Sequence, residues 1–484
     1  MIFLSHHYSF FLFRFFMVTK YDRKFPGLTG FLLLMPLLSL FAQQQKNYSL
    51  SDFIDSAQSH LPVLLQKKSL VDAAKAGITD ARHSFLPNAF IADELTLGTD
   101  NSIPGSYLSY GIIPSSSSGI HPSNDYQSAV GNIAIFQSEY ELVDFGLRKA
   151  SEKNAEANAN LTQSDLDKET YLLKWQVGKL YFDILKNQFQ LAIDQQNVNR
   201  YQAIYTVIQA VTRSGIRPGA DSSLAMAELS KSRISYNQTE GQVRQLHQQL
   251  SYLTGISINE FSIDTSQTKS YLSALDILGK GNDVTSTNNP LIDYYTKEEM
   301  LYAQTETLVK KSYLPKIFLS ATGWARGSSI DYNGNYKSIT EGLGYQRFNY
   351  MVGTTFVYDL FNVVHQKDKL AISHYNTIAS DYDLQQQRLS LINVGNQADE
   401  AIHTAVKNLL EIPVQISSSQ DAYNQKTAQY KAGIITLIDL TNASFVLYRS
   451  QSDYVQTMSD WLLANLDKAA ATGNLDLFIQ SIKK

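Results

Sequence analysis

His83–Phe90 reads HSFLPNAF and Lys311–Phe318 reads KSYLPKIF, with the same Ser-aromatic-Leu-Pro centre and a Phe three places after each proline. Repetition at this scale decides the fold, because each copy must build the same unit. Extending the match outward turns the pair into a ruler. Pro62 and Pro290 share the 228-residue offset of Pro87 and Pro315. Further on, YELVD from Tyr140 matches YDLFN from Tyr358, RSGI from Arg213 matches KAGI from Lys431, and Thr254-Gly255 matches Thr472-Gly473, all at an offset of 218. One ten-residue length change between Pro87 and Tyr140 reconciles the two offsets. The chain divides accordingly into 1–42, a first copy over 43–255, a joining segment over 256–287, a second copy over 288–473 and a tail over 474–484.

Residues 1–42 have the layout of an export signal. Leu28–Phe41 is an apolar run too short to cross a bilayer comfortably; Lys20, Arg23 and Lys24 precede it and Ala42 follows. Met17 is an alternative start, and an N-terminal anchor is the rival interpretation. The chain has no cysteine, so neither disulfides nor a lipid-modified thiol are expected. A net charge of −4 gives no basic surplus to favour nucleic acid as a partner. The aromatic residues are tyrosine-heavy, with 29 Tyr against 3 Trp, rings suited to surfaces half apolar and half wet.

Within each copy, hydrophobic periodicity predicts two very different regions. From Gly146 to Val211 no strong turn signal interrupts the chain, and Val177, Ile184, Leu191, Val198 and Tyr205 fall seven apart, with Leu173 and Leu180 in the intervening row. That pattern predicts a helix packed in coiled-coil fashion, on the order of 100 Å long. The second copy has the same interval, marked by Pro413, which should kink or break it. Shorter helices are expected over Asp221–Leu253 and Asp439–Ala471, each closed by Thr-Gly.

After each proline motif the period changes to two. From Gln346 to Leu360 the even positions Phe348, Tyr350, Val352 and Phe356 are apolar and the odd ones carry Arg347, Asn349 and Thr355, the alternation of a strand. Tyr313–Ala321 reads as its partner; Phe85–Leu97 and Asn132–Leu142 read likewise, with Asp93 and Glu139 weakening the pattern. Pro87 and Pro315 stand at the strand starts, where the missing amide donor is tolerated. Each copy thus makes one hairpin around a Gly/Ser/Asn-rich loop, and the length change belongs in that loop. Four strands cannot close a barrel, and an open edge in hydrocarbon leaves backbone groups without partners. Strands placed in a membrane would require several chains to share one barrel, eight strands from two chains or twelve from three.

The order of helix, FLP/YLP strand, hairpin, long helix and glycine-bearing tip resembles the TolC family of outer-membrane efflux proteins over residues 49–473. The tips carry it best: SGIRPGADSSLAMAEL and AGIITLIDLTNASFVLY. The resemblance implies a mixed α+β membrane protein, a homotrimer whose four-stranded contributions make a twelve-stranded barrel continuous with a periplasmic helical tunnel. It further implies docking onto a periplasmic adaptor and an inner-membrane RND or ABC pump, as the outer-membrane channel of an efflux or type I secretion system. By the same resemblance Asp439 lines the closed inner end of the tunnel, and Asp221 latches the gate to Tyr430. Asn442 stands where some members carry a second acid, and Ile435 where some carry an arginine. Gly215, Ile216, Gly433, Ile434 and Ile435 are the expected adaptor-docking tips. Asp439 is read either as a member of an acidic ring or as a first-turn residue of its own helix.

No catalytic constellation emerges. The nine histidines form no HExxH, no G-x-S-x-G is present, and GKGND at Gly279–Asp283 lacks the third glycine and preceding strand of a dinucleotide loop. His365, His374 and His403 fall on the second long helix and read as solvated or packed rather than metal-bound. Neither metal nor cofactor is expected. A soluble periplasmic coiled-coil adaptor is the competing function, sharing the helices without lipid-facing strands. The joining segment 256–287 is polar and expected to be irregular, girdling the middle of the tunnel.

Overall fold

The computed structural model describes residues 46–102, 122–215, 218–258, 261–263 and 289–482. The expected export signal, GKGND, Ile216 and most of the joining segment lie outside them.

Two helices dominate, α3 (Leu147–Arg213) and α6 (Asn362–Lys431), of 67 and 70 residues; each is therefore about 100 Å long. Shorter helices accompany them in two tiers. Near the sheet, α2 (Pro62–His83) and α5 (Pro290–Ser312) pack on α3, and α5 also packs on α6. At the far end, α4 (Gly219–Thr254) packs on α3, while α7 (Leu437–Ala471) packs on both α3 and α6. Pro62 and Pro290 each occupy the first turn of their helix, where a missing amide donor costs nothing.

The seven-residue row on α3 is only half right. Val177 and Ile184 are fully buried, but Leu191, Val198 and Tyr205 are half-buried, and the seam passes instead to Asp194, Asn197, Tyr201, Ile204 and Ile208. A helix at 3.6 residues per turn drifts about 20° per heptad against a strict seven-residue repeat, so a long helix presents successive faces to its neighbours. Pro413 does not break α6, which runs through it. The proline itself is exposed, while Ile412 beside it is buried. Gly178 lets α7 pack close on α3, since a Cβ there would stand 3.1 Å from the Leu466 side chain.

Strands β2 (Asn88–Gly98), β3 (Ala129–Val143), β5 (Lys316–Ser328) and β6 (Arg347–Val357) form one antiparallel sheet in that order. β2 and β5 start directly after Pro87 and Pro315. The two hairpins are joined edge to edge by β3 and β5, leaving β2 and β6 as unpaired, fully exposed edges. Register places Ile91 opposite Phe136, Phe136 opposite Gly323 and Gly323 opposite Tyr350, one row of a single apolar face. Glu139 belongs to the opposite face, where Ser320 Oγ donates to it at 3.4 Å. Asp93, whose register partner is Ala134, is thus the acid that interrupts the apolar face.

The joining segment, expected to be irregular, and the tail both carry regular structure. Within the joining segment, β4 (Phe261–Ile263) pairs in parallel with β1 (Lys46–Tyr48), and Phe261 and Ile263 are buried. The tail is not a free end: α8 (Leu475–Ile482) buries Leu475, Phe478, Ile479 and Ile482, an i, i+3, i+4, i+7 stripe. With α1 (Leu50–His60) these elements form the largest core, midway along the helices. There Phe53 meets Phe261 edge-on at 5.1 Å and Phe182 meets Phe478 at 6.1 Å. Aromatic pairs at these spacings add to the burial of their rings.

Candidate functional site

At the end remote from the sheet, both copies reverse direction through a left-handed glycine. Gly215 has φ +75° and Gly433 φ +77°, and no atom within 4 Å would oppose a side chain at either, so conformation alone selects glycine. After α6 the Gly433 amide donates to the Tyr430 carbonyl and the Ile434 amide to the Gln429 carbonyl, both at 3.0 Å. These paired bonds satisfy helix-end carbonyls that would otherwise be orphaned. Ile434 emerges from the turn 73% exposed, whereas Ile435 is half-buried.

Helix α7 then starts with a reciprocal cap. Thr436 Oγ1 accepts from the Asp439 amide at 3.3 Å, while Asp439 Oδ2 accepts from the Thr436 amide at 3.0 Å and from its hydroxyl at 2.6 Å. These Thr436 bonds hold the exposed Asp439 carboxyl below its ordinary range. The residue expected in a ring or a first turn is thus the third residue of a capped helix. Asn442 lies exposed one turn further on.

One apolar cluster ties the two tips together: Tyr201, Ile204 and Ile208 of α3, Ala225 and Leu229 of α4, and Leu437 and Leu440 of α7. Tyr430 packs against this cluster, and Asp221 lies half-buried in the first turn of α4. Asp221, Tyr430, Asp439 and Asn442, drawn from both repeats, therefore share one end of the molecule. Gly215 sits in the first-repeat turn beside them.

Roughly 30 Å up the helices from the tip, a buried polar node was not singled out from sequence. Asp194 of α3 is 1% exposed and accepts hydrogen bonds from three side chains: Gln190 at 2.9 Å, Thr239 of α4 at 2.6 Å and Tyr448 of α7 at 2.8 Å. Gln190 also donates to Ser452 at 3.1 Å. Burial pushes the Tyr448 phenol up, keeping it a donor. Below it, Arg200 donates to Gln451 at 3.2 Å and Asn197 at 3.1 Å, and burial lowers its guanidinium pKa. The signal for this node is the 3-4 spacing of Asp194 and Asn197 with Tyr201, Ile204 and Ile208, visible once the seam is allowed to drift.

The remaining candidates stay apart. His374 Nδ1 lies 3.6 Å from Glu306 Oε2, and His365 and His403 are exposed elsewhere on α6. Among the described residues no group of His, Asp and Glu is arranged to hold a metal ion, and no helix is long and apolar enough to cross a membrane.

Comparison with known proteins agrees with this architecture. Outer membrane protein TolC of Escherichia coli (strain K12) is 21% identical over 455 residues, covering 91% of this chain and 85% of that protein. The outer membrane protein VceC of Vibrio cholerae superposes with a TM-score of 0.70 at 11% identity, covering 88% of this chain and 96% of its own. The Campylobacter jejuni CmeC outer membrane channel gives 0.69 at 14% identity, over 88% and 86%. The profile of the family described as Outer membrane efflux protein matches residues 53–256 and 287–474, one segment for each repeat. On that match, spanning most of the chain, the protein belongs to the outer membrane efflux protein family.

Proposed function

We propose that this chain is the outer-membrane duct of a tripartite export system, a passive channel that three copies close between them. The observation that carries this reading is the sheet: an apolar face, two unpaired edge strands and, at one end, two helices each about 100 Å long. An edge left open in hydrocarbon strands its amides and carbonyls, so β2 of one copy must meet β6 of the next. Three copies give twelve strands, enough for an aqueous lumen, whereas two give an interior that side chains fill. The exposed apolar residues spaced seven apart on α6, Tyr375, Tyr382 and Leu389, support the same closure among the helices.

At the tips, Gly215, Ile216, Gly433, Ile434 and Ile435 form the docking surface for a periplasmic adaptor, which couples the duct to an inner-membrane RND or ABC pump. Exposed Ile434 and Ile438 at a helix end support this assignment. Asp439 with Asn442 rims the narrow mouth, and Asp221 with Tyr430 belongs to its latch; their convergence at one end supports those roles. The duct performs no chemistry of its own.

Fractionation tests the reading directly. The protein should partition with the outer membrane, resist extraction without detergent and migrate on unheated gels as a species of about three chain masses. Recovery as a soluble periplasmic monomer would return the adaptor interpretation.

A further inference from the structure

The polar face of the sheet carries a feature that neither the family nor the tips explain. Register puts Glu94, Ile133, Arg326 and Arg347 in one row across β2, β3, β5 and β6. Arg326 and Arg347 are direct cross-strand partners, both exposed, on the face opposite Phe136 and Tyr350. Like charges directly opposite on neighbouring strands are destabilising, because their Cβ atoms stand only about 5 Å apart. Among the described residues neither arginine forms an ion pair; Arg347 Nη1 donates to the Gln346 carbonyl at 3.1 Å. Within one copy Glu94 is two strands away from Arg326, beyond Ile133. The pair lies at the end of the hairpin nearest the loop, and the two acids of β3 on this face, Glu139 and Glu141, lie toward the helices, Glu141 with Lys316 at 3.7 Å.

We propose that Arg326 and Arg347 form an anion-binding site inside the channel near its outer mouth, taking carboxylate or phosphate groups of solutes in transit. The inference rests on the channel reading above, since it needs the apolar face turned to lipid and the arginine face to water. Two guanidinium forks side by side match an oxyanion bidentately, and a shared anion removes the repulsion that keeps them unfavourable when empty. Closure by three copies sets six arginines around one lumen against three Glu94 in the same row, since β2 of one copy meets β6 of the next, and the surplus of positive charge keeps the ring attractive to anions. The lumen is then polarised along its axis, acidic toward the helices and basic at the exit. An anionic group leaving the duct meets attraction there rather than bulk water.

The experiment is conductance of the full-length protein in planar bilayers, with inorganic pyrophosphate as the probe added from the loop side. The unmodified channel should be blocked. The Arg326→Gln/Arg347→Gln double variant should need on the order of tenfold more pyrophosphate for half-block, the equivalent of one well-formed charge-assisted contact, and its reversal potential in a salt gradient should move toward cations. Arg347→Gln alone, on an exposed edge strand, should show the same direction of change and covers failure of the double variant to assemble. Conducting channels with unchanged half-block and reversal potential would overturn the anion site and leave the channel reading standing. Absence of any conductance from the unmodified protein would overturn the channel reading itself.

Discussion

Replacing Tyr448 with phenylalanine removes one oxygen from the buried node and leaves its packing volume nearly unchanged. The lost hydroxyl donates to Asp194 Oδ1 at 2.8 Å, and Gln190 Nε2, which approaches it at 3.3 Å, keeps Asp194 and Ser452 as partners. Ser235 Oγ, 3.3 Å from the same hydroxyl, loses that partner but is only half-buried, so the loss stays close to that of the hydrogen bonds themselves. A bond to a buried carboxylate contributes about 1.5–3 kcal/mol. Asp194→Ala is the larger loss: it removes the acceptor shared by three half-buried donors, and each hydrogen bond to the charged carboxylate contributes about 1.5–3 kcal/mol. Guanidinium unfolding followed by far-ultraviolet circular dichroism, on protein in detergent, reads both. Thr239→Val makes the third corner of the test. Thr239 and Tyr448 donate to the two oxygens of one carboxylate, so their double variant should depart from additivity by at least about 0.5 kcal/mol. Tyr448→Phe costing less than about 0.5 kcal/mol, with Thr239→Val strictly additive, would refute the view that this node fastens α3, α4 and α7.

Asp439→Asn should reduce cation selectivity and relieve block by trivalent cations applied from the helix side if the three copies form a ring; unchanged block with earlier melting would leave only the capping role. Because native contacts hold the Asp439 carboxyl below its ordinary range, its contribution is complete above the unfolded pKa. It is lost as pH falls through the lower folded value, so the Asp439→Asn variant and the parent should converge in stability under strongly acid conditions. Ile434→Asp combined with Ile435→Asp should abolish export with the oligomer intact on unheated gels; normal export would discard the docking surface. Gly433→Ala forces a side chain into the left-handed region and should cost about 1 kcal/mol, read as a shifted unfolding midpoint. Cysteine placed at Asn333, an exposed loop residue in a chain without thiols, should react with an impermeant maleimide on intact cells; protection would invert the orientation.

The sequence by itself determined the repeat, the two long helices, the strands after Pro87 and Pro315 and the glycine turns, because each is written in local terms: a period, a missing amide donor, a positive φ. It also marked the tips through their glycines and Asp439, whereas the reciprocal bonding of Asp439 with Thr436 came from the structure. Tertiary structure alone decided how these pieces meet. Nothing local distinguishes two separate hairpins from one sheet, and only the pairing of β3 with β5 joins them and defines the free edges. The seam of α3 moved off its seven-residue row because helix drift becomes visible only when neighbours occupy successive faces. Asp194 and Asn197 carry no local signal for the same reason, as polar residues at a seam become intelligible only beside Thr239, Tyr448 and Arg200 from other turns and helices. The stripe of α8 was legible, yet its partner Phe182 lies hundreds of residues away, and burial against a distant surface is not a property any short segment carries. Arg326 and Arg347 became a pair only through strand register, which is set by how the apolar patterns of two strands and the loop between them line up, not by either strand alone.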